Sequence, residues 1–154
     1  MATRVRRYGI DWPLDPPDRL RQLARARPLV IEIGFGNGEA LAASALADPA
    51  RHYLGIEVHK PGVGRLLRTL VAQDSANASV LSHDAVEVLH QALDPGSVDE
   101  LRLYFPDPWP KQRHHKRRIV QDEFVALVAN RLRSGALLHL ATDWQPYAEH
   151  MIEV

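Results

Sequence analysis

Residues 28–39 constrain this chain more than any other stretch. A β-branched apolar run, Pro28-Leu-Val-Ile-Glu-Ile33, stops abruptly at Gly34-Phe-Gly36-Asn-Gly38-Glu39, which has glycine at every second position. Such a short apolar run suits a strand buried on both faces. Glycines directly after it let the backbone take positive φ and approach a ligand closely. The Ala-rich segment 39–47 then reads as a helix, so the stretch opens a strand, loop and helix unit.

The same alternation runs through the rest of the chain. Residues 52–56 form a second apolar strand ending at Glu57, and Pro61 opens a helix expected to reach about residue 76. Residues 78–82, 98–105 and 136–141 read as further strands, the last after a Ser134-Gly135 helix stop. Residues 85–93 and 120–132 read as the helices between them. Before residue 28 the chain is rich in Arg and Pro, and Asp15-Pro16-Pro17 breaks any regular element, leaving only 19–26 helical. We read residues 1–27 as a basic N-terminal arm and 28–154 as one domain. Alternation with short connections predicts right-handed crossovers and an α/β fold: a doubly wound, Rossmann-like sheet, mostly parallel. Ligands in that architecture bind beyond the carboxyl ends of the strands. Every distinctive cluster in the chain falls there, at 32–39, 57–60, 83–84, 106–118 and 142–144.

Composition narrows the chemistry. At 154 residues and 45% hydrophobic content, the chain can form one core but not two ordinary domains. Lys plus Arg and Asp plus Glu balance at 19 each, so attraction to a polyanion must come from a local patch. Without cysteine there are no disulfides, thiolate nucleophiles or Cys-based zinc sites, which fits a reducing compartment. No apolar run is long enough to span a bilayer. The chain reads as a soluble, cytoplasmic protein with no membrane partner.

The glycine loop excludes two familiar ligands. A dinucleotide fingerprint wants glycine at position 39, where Glu39 would face the helix N-terminus that receives a pyrophosphate. A phosphate-binding P-loop needs a Gly-Lys-Ser/Thr that does not follow. Glu32, two places before Gly34, instead suits a ligand with an ammonium group and a sulfonium, as S-adenosylmethionine has. Glu57 ends the second strand, where a carboxylate accepts ribose hydroxyls. Asp84 follows the third strand, either facing an adenine amino group or simply capping the next helix. Three acids and Gly34, Gly36 and Gly38 on one sheet edge make a nucleoside-cofactor site.

Beyond the fourth strand lies Phe105-Pro-Asp107-Pro-Trp109-Pro-Lys111, followed by Gln-Arg113-His-His-Lys116-Arg117-Arg118. Prolines on both sides hold Asp107 at the sheet edge. Trp109 could stack on a base or wedge the loop against the core. The cations from Lys111 to Arg118 make a positive patch suited to phosphates, or the solvated start of a helix. Adjacent His114 and His115 point differently and lack a third ligand at zinc-type spacing, so no metal is expected. A serine hydrolase is disfavoured because no Gly-x-Ser-x-Gly elbow occurs.

At these motifs the chain resembles the bacterial tRNA (guanine-N7)-methyltransferases. Residues 32–39, 55–62, 105–111 with 115–118, and 142–144 look like that family's most telling blocks, and the likeness covers nearly everything from Val30 to Val154. The resemblance implies methyl transfer from S-adenosyl-L-methionine to N7 of a guanine in the variable loop of tRNA. It implies that Glu32, Glu57, Asp84 and Asp107 contact the cofactor and that Asp107 is also catalytic. It further implies that Lys111 and Asp143 contact the target guanosine and that residues 113–118 touch RNA. Family members continue beyond the helix that opens near residue 149, with further strands and a Thr-x-x-Glu segment not found here. The expectation is therefore a sheet incomplete at its C-terminal side, with an exposed edge. Two other readings stand beside it: an NAD-dependent oxidoreductase, disfavoured by Glu39, and a non-catalytic RNA- or cofactor-binding remnant.

Overall fold

The computed structural model describes residues 2–154. The strands are β1 (Gly9–Ile10), β2 (Leu29–Ile33), β3 (His52–Ile56), β4 (Ala78–Leu81), β5 (Val98–Tyr104) and β6 (Leu132–Ala141). The helices are α1 (Ala2–Val5), α2 (Arg19–Ala26), α3 (Glu39–Ala47), α4 (Lys60–Ala72), α5 (Ala85–Ala92), α6 (Asp122–Arg131) and α7 (Gln145–Glu153). The strands form one sheet in the order β1-β4-β3-β2-β5-β6, and every pairing is parallel. Strand order reverses between β2 and β5, so their carboxyl ends flank the switch point where this architecture opens a crevice.

Burial on both faces follows from the composition of the strands. Val30, Tyr53 and Val80 pack with Leu41, Leu66 and Leu70 of α3 and α4, while Ile31, Leu54 and Leu101 pack with Leu89, Val128 and Tyr147 on the other side. The parallel sheet needs this double cover, which is why β2, β3 and β4 are buried at every position. Asn77 ties the amino end of the sheet together, its side-chain amide donating to the carbonyls of Ala45, Asp48 and Arg51.

Three expectations change. The N-terminal segment is no free arm around residue 10: Gly9 and Ile10 pair with Val80 and Leu81, and Tyr8 and Ile10 are buried. A two-residue strand in an Arg- and Pro-rich context has no periodicity to read. The helix from Lys60 ends at Ala72 rather than near residue 76, because Asp74 turns left-handed at φ 46°. Ser134-Gly135 does not separate helix from strand. Pairing with β5 begins at Leu132, and Gly135 at φ 81° makes a bulge where the register shifts between Val98 and Glu100. Arg133 pairs with Asp99 beside that bulge.

The expected exposed edge is β6, whose outer side carries no strand among the described residues. Phe105, Leu137 and Ile152 are exposed around it.

Replacing Ile10 by Ala tests whether the N-terminal strand belongs to the core. At 6% exposure the side chain should contribute like any core isoleucine, so urea unfolding should report a loss of about 2–4 kcal/mol. A loss under about 0.5 kcal/mol, as at a surface site, would detach β1 from the cooperative unit.

Candidate functional site

The glycine loop leaves β2 at Gly34, and its three glycines have φ of 67°, 60° and 81° at Gly34, Gly36 and Gly38. They serve two purposes. A Cβ on Gly34 or Gly36 would meet nothing within 4 Å, so that side of the loop is open to a ligand. A Cβ on Gly38 would come 2.7 Å from Leu66, so Gly38 is required where α3 packs on α4. Gly62 of α4 lies so close that a Cβ there would sit 2.1 Å from the Gly36 carbonyl oxygen. The loop is thus seated on a glycine of the neighbouring helix, a role that the sequence does not signal for Gly62.

Glu57 fixes the loop from the other side. Its Oε2 accepts from the Gly36 backbone N–H at 3.0 Å, and its Oε1 accepts from Val58 and His59 at 2.8 and 3.0 Å. A carboxylate offers about four acceptor directions, so one on Oε2 is left for a ligand hydroxyl. Val58 beside it is two-thirds exposed, an apolar surface at the same edge.

Glu32 is 4% exposed, and its Oε2 has no hydrogen-bond partner within the protein. Arg102 stands opposite it in the sheet register, yet Arg102 donates to Glu100 at 2.7 Å and to Ser44 at 2.8 Å instead. Burial pushes the Glu32 carboxyl up to about 7, with the nearby Arg102 charge pulling the other way. A buried, unpartnered carboxyl at the end of a central strand is costly, and it is the kind of group that a cationic ligand would satisfy.

Asp84 caps α5: its Oδ1 accepts from the Glu87 backbone N–H at 2.9 Å. The capping role is therefore realised, and Oδ2 is outside that bond. Trp12 stacks on the neighbouring His83 at 4.6 Å between centroids, bringing the N-terminal segment to this edge. Nothing in the residues around Trp12 signals that contact in advance.

Past β5, Phe105 and Trp109 both adopt left-handed backbone, at φ 51° and 41°, bracketing Asp107. Non-glycine residues are held there only when their surroundings over-determine them. Asp107 stays exposed, its Oδ1 accepting from Trp109 N–H at 3.1 Å. Trp109 has Arg117 over its ring at 5.0 Å and His114 edge-on at 5.6 Å, which favours the wedge over a free stacking platform.

The basic run, a 3₁₀ turn over Gln112–Arg117, divides by burial. Lys111, Arg113, Lys116 and Arg117 are exposed, and His114 and His115 are half-buried. Arg118 is not part of that surface. At 4% exposure it donates from Nε to the Pro108 carbonyl at 2.6 Å, with its guanidinium 4.8 Å above the Tyr147 ring. The expectation that Arg118 touches RNA gives way to a structural role, because a cation so enclosed cannot reach a phosphate. Arg118 instead ties the Asp107 loop to α7. Tyr147 continues the tie, its hydroxyl accepting from Val120 N–H at 3.2 Å, while His150 bonds the Val120 carbonyl at 2.6 Å. Asp143 is exposed between β6 and α7, in a turn where Thr142 accepts from Trp144 N–H.

A family model described as "Putative methyltransferase" matches residues 26–154. A tRNA (guanine-N(7)-)-methyltransferase of Xanthomonas campestris is 52% identical over 148 residues, covering 96% of this chain and 57% of that protein. One from Alkalilimnicola ehrlichii is 51% identical over 149 residues, covering 96% and 63%. The chain therefore spans about three fifths of the length of these curated relatives. An rRNA methylase structure from Streptococcus thermophilus superposes with a TM-score of 0.60 at 18% identity, over 86% of this chain and 75% of that one, and so shares the fold.

Glu32 generates a pH prediction. Its folded value, about 7, lies above the ordinary 4.5, so its stabilising neutral form is fully present below pH 4.5 and lost as pH rises through 7. Glu32→Gln should gain stability over the parent as pH goes from 5 to 8, by up to about 3 kcal/mol. His52, lowered to about 4 by burial and by Arg27 and Arg19, acts in the opposite direction but is common to both proteins. A constant gap between the two denaturation curves from pH 5 to 8 would show that Glu32 is not a buried acid.

Proposed function

The chain belongs to this methyltransferase family, and from that premise we propose that it binds S-adenosyl-L-methionine and directs its methyl group to N7 of a guanine in tRNA, in the variable loop. The observation that carries the proposal is the loop itself. Gly34 and Gly36 stand open to a ligand, while the buried, unpartnered Glu32 carboxyl lies directly before them.

In this reading Glu32 receives the ligand's ammonium group, Gly34 and Gly36 bring backbone against it, and Gly38 holds the loop in shape. Glu57 uses its remaining acceptor direction on a ribose hydroxyl, and Asp84 faces the adenine amino group while capping α5. S-adenosylmethionine, when bound, supplies an electrophilic methyl group on sulfur. Guanine N7 has a lone pair and no proton, so the chain needs to provide alignment rather than a general base. Asp107, fixed by its prolines and by the Arg118 tie, is the catalytic residue: its carboxylate offsets positive charge as it develops on the guanine. Lys111 and Asp143 flank it and orient the nucleotide. Arg113, His114, His115, Lys116 and Arg117 meet the RNA backbone, with Arg117 also stacked on Trp109. Reaching N7 in a folded tRNA calls for the nucleotide to be splayed from its neighbours. No helix among the described residues is long and apolar enough to cross a membrane, and the reading places the protein in the cytoplasm with tRNA.

The test is transfer of labelled methyl from S-adenosylmethionine to a tRNA transcript, with the modified base identified as 7-methylguanine. Asp107→Asn should lower turnover by about 10²-fold or more. Full turnover in that variant would remove the charge-stabilising role. Cofactor binding without any transfer by the parent chain would favour the non-catalytic reading.

A further inference from the structure

We propose that the exposed side of α4, together with α1, is a second surface for the RNA backbone, on the opposite flank of the site mouth from residues 111–117. The inference rests on the tRNA reading above. α4 buries Gly62, Leu66 and Leu70 and turns Lys60, Arg65 and Arg68 outward, with no acidic residue anywhere in the helix. An exposed helix in a neutral protein ordinarily intersperses charges of both signs at i,i+4 spacing. Lys60 moreover sits in the first turn, where the helix dipole disfavours a cation. That arrangement is mildly unfavourable for the helix itself, so the helix's own electrostatics do not account for the lysine there.

α1 extends the same face. It packs against α4, and Arg4 lines a groove of about 480 Å³ with Arg7, Tyr8, Val71, Ala72 and Asp74. The acid in this groove, Asp74, is already paired with Arg7 at 2.8 Å. Among the described residues, Arg4, Lys60, Arg65 and Arg68 make no ion pair. Lys60 to Arg68 spans about 12 Å along the helix axis. The stripe begins at the carboxyl edge, where Gly62 meets the Gly36 carbonyl, and β3 and β2 separate it from the patch after β5. The glycine loop thus lies between two cationic surfaces, as a rigid polyanion wider than the site would require. An anionic membrane is the poorer partner, because an interfacial helix needs well-exposed apolar side chains beside its cations, whereas on α4 Leu66 and Leu70 are buried and Val63, Leu67 and Val71 are partly buried against the core.

The experiment compares the parent with the double variant Arg65→Gln, Arg68→Gln. Both side chains lie on the outward side of α4, so thermal unfolding and S-adenosylmethionine binding should be unchanged. Affinity for a tRNA transcript is read by fluorescence anisotropy at KCl concentrations from about 50 to about 200 mM, the range over which phosphate neutralisation dominates. The double variant should bind several-fold more weakly at the low-salt end, with the slope of log affinity against log salt shallower by about 1 for each phosphate that the variant no longer neutralises. An affinity and slope equal to the parent's overturn the proposal while leaving the tRNA reading intact. Failure of the parent itself to bind tRNA overturns both. Binding to phosphatidylserine vesicles that the double variant loses, with an unaltered tRNA slope, would assign the stripe to a membrane and overturn it too.

Discussion

The site is built on a backbone contact: the Gly36 carbonyl resting on Gly62 of α4, where even one methyl group would sit 2.1 Å from the oxygen. The loop it supports carries left-handed glycines that no other residue could replace at low cost. Glu57 completes the seat by accepting the Gly36 N–H from the opposite side. Because this loop is held by β3 and α4 as well as by its own strand, its geometry is set by packing before any ligand arrives. Such preorganisation is what lets a binding site hold a small ligand without losing affinity to the ordering of its own backbone.

A second consequence is that the site is costly where it is most specific. Glu32 is buried without a partner while the nearby cation, Arg102, is committed to Glu100 and Ser44. Phe105 and Trp109 hold strained backbone around Asp107, and Arg118 with Tyr147 is the local structure that keeps them there. These are departures from what stability alone would choose, and they gather at the carboxyl edge of the sheet. The central strands follow ordinary rules, with the apolar residues of β2, β3 and β4 covered on both faces, and Asn77 is satisfied by carbonyls.

Much of this is legible in the residues. The helix over 39–47 and the strand over 52–56 have the expected bounds, because an Ala-rich run and an apolar run each end where polar residues begin. The edge on which the glycine loop, Glu57, Asp84 and Asp107 meet follows from strand alternation alone. What stays hidden depends on contacts distant in sequence. The burial of Arg118 cannot be told from its exposed neighbours, since a run of cations looks uniform until α7 packs on one of them. Glu57 reads as a group for a ligand, and the structure shows that it also holds the Gly36 N–H; for Asp84 the cap on α5 is one of the two roles its position offers in the sequence. β1 and the Trp12 stack on His83 carry no periodic signal. The bulge at Gly135 reads as a helix stop because the same glycine geometry ends helices and offsets strands.

The central claim is that the loop and Glu32 form a site for a cationic nucleoside cofactor. Calorimetric titration of S-adenosylmethionine at a pH just below the Glu32 value, in two buffers of different ionisation enthalpy and with NAD as control, tests it most directly. S-adenosylmethionine alone should bind at micromolar concentration, with release of up to one proton as Glu32, held near 7 in the free protein, ionises against the ligand. Absence of binding by the folded chain, or equal binding of NAD, would contradict it.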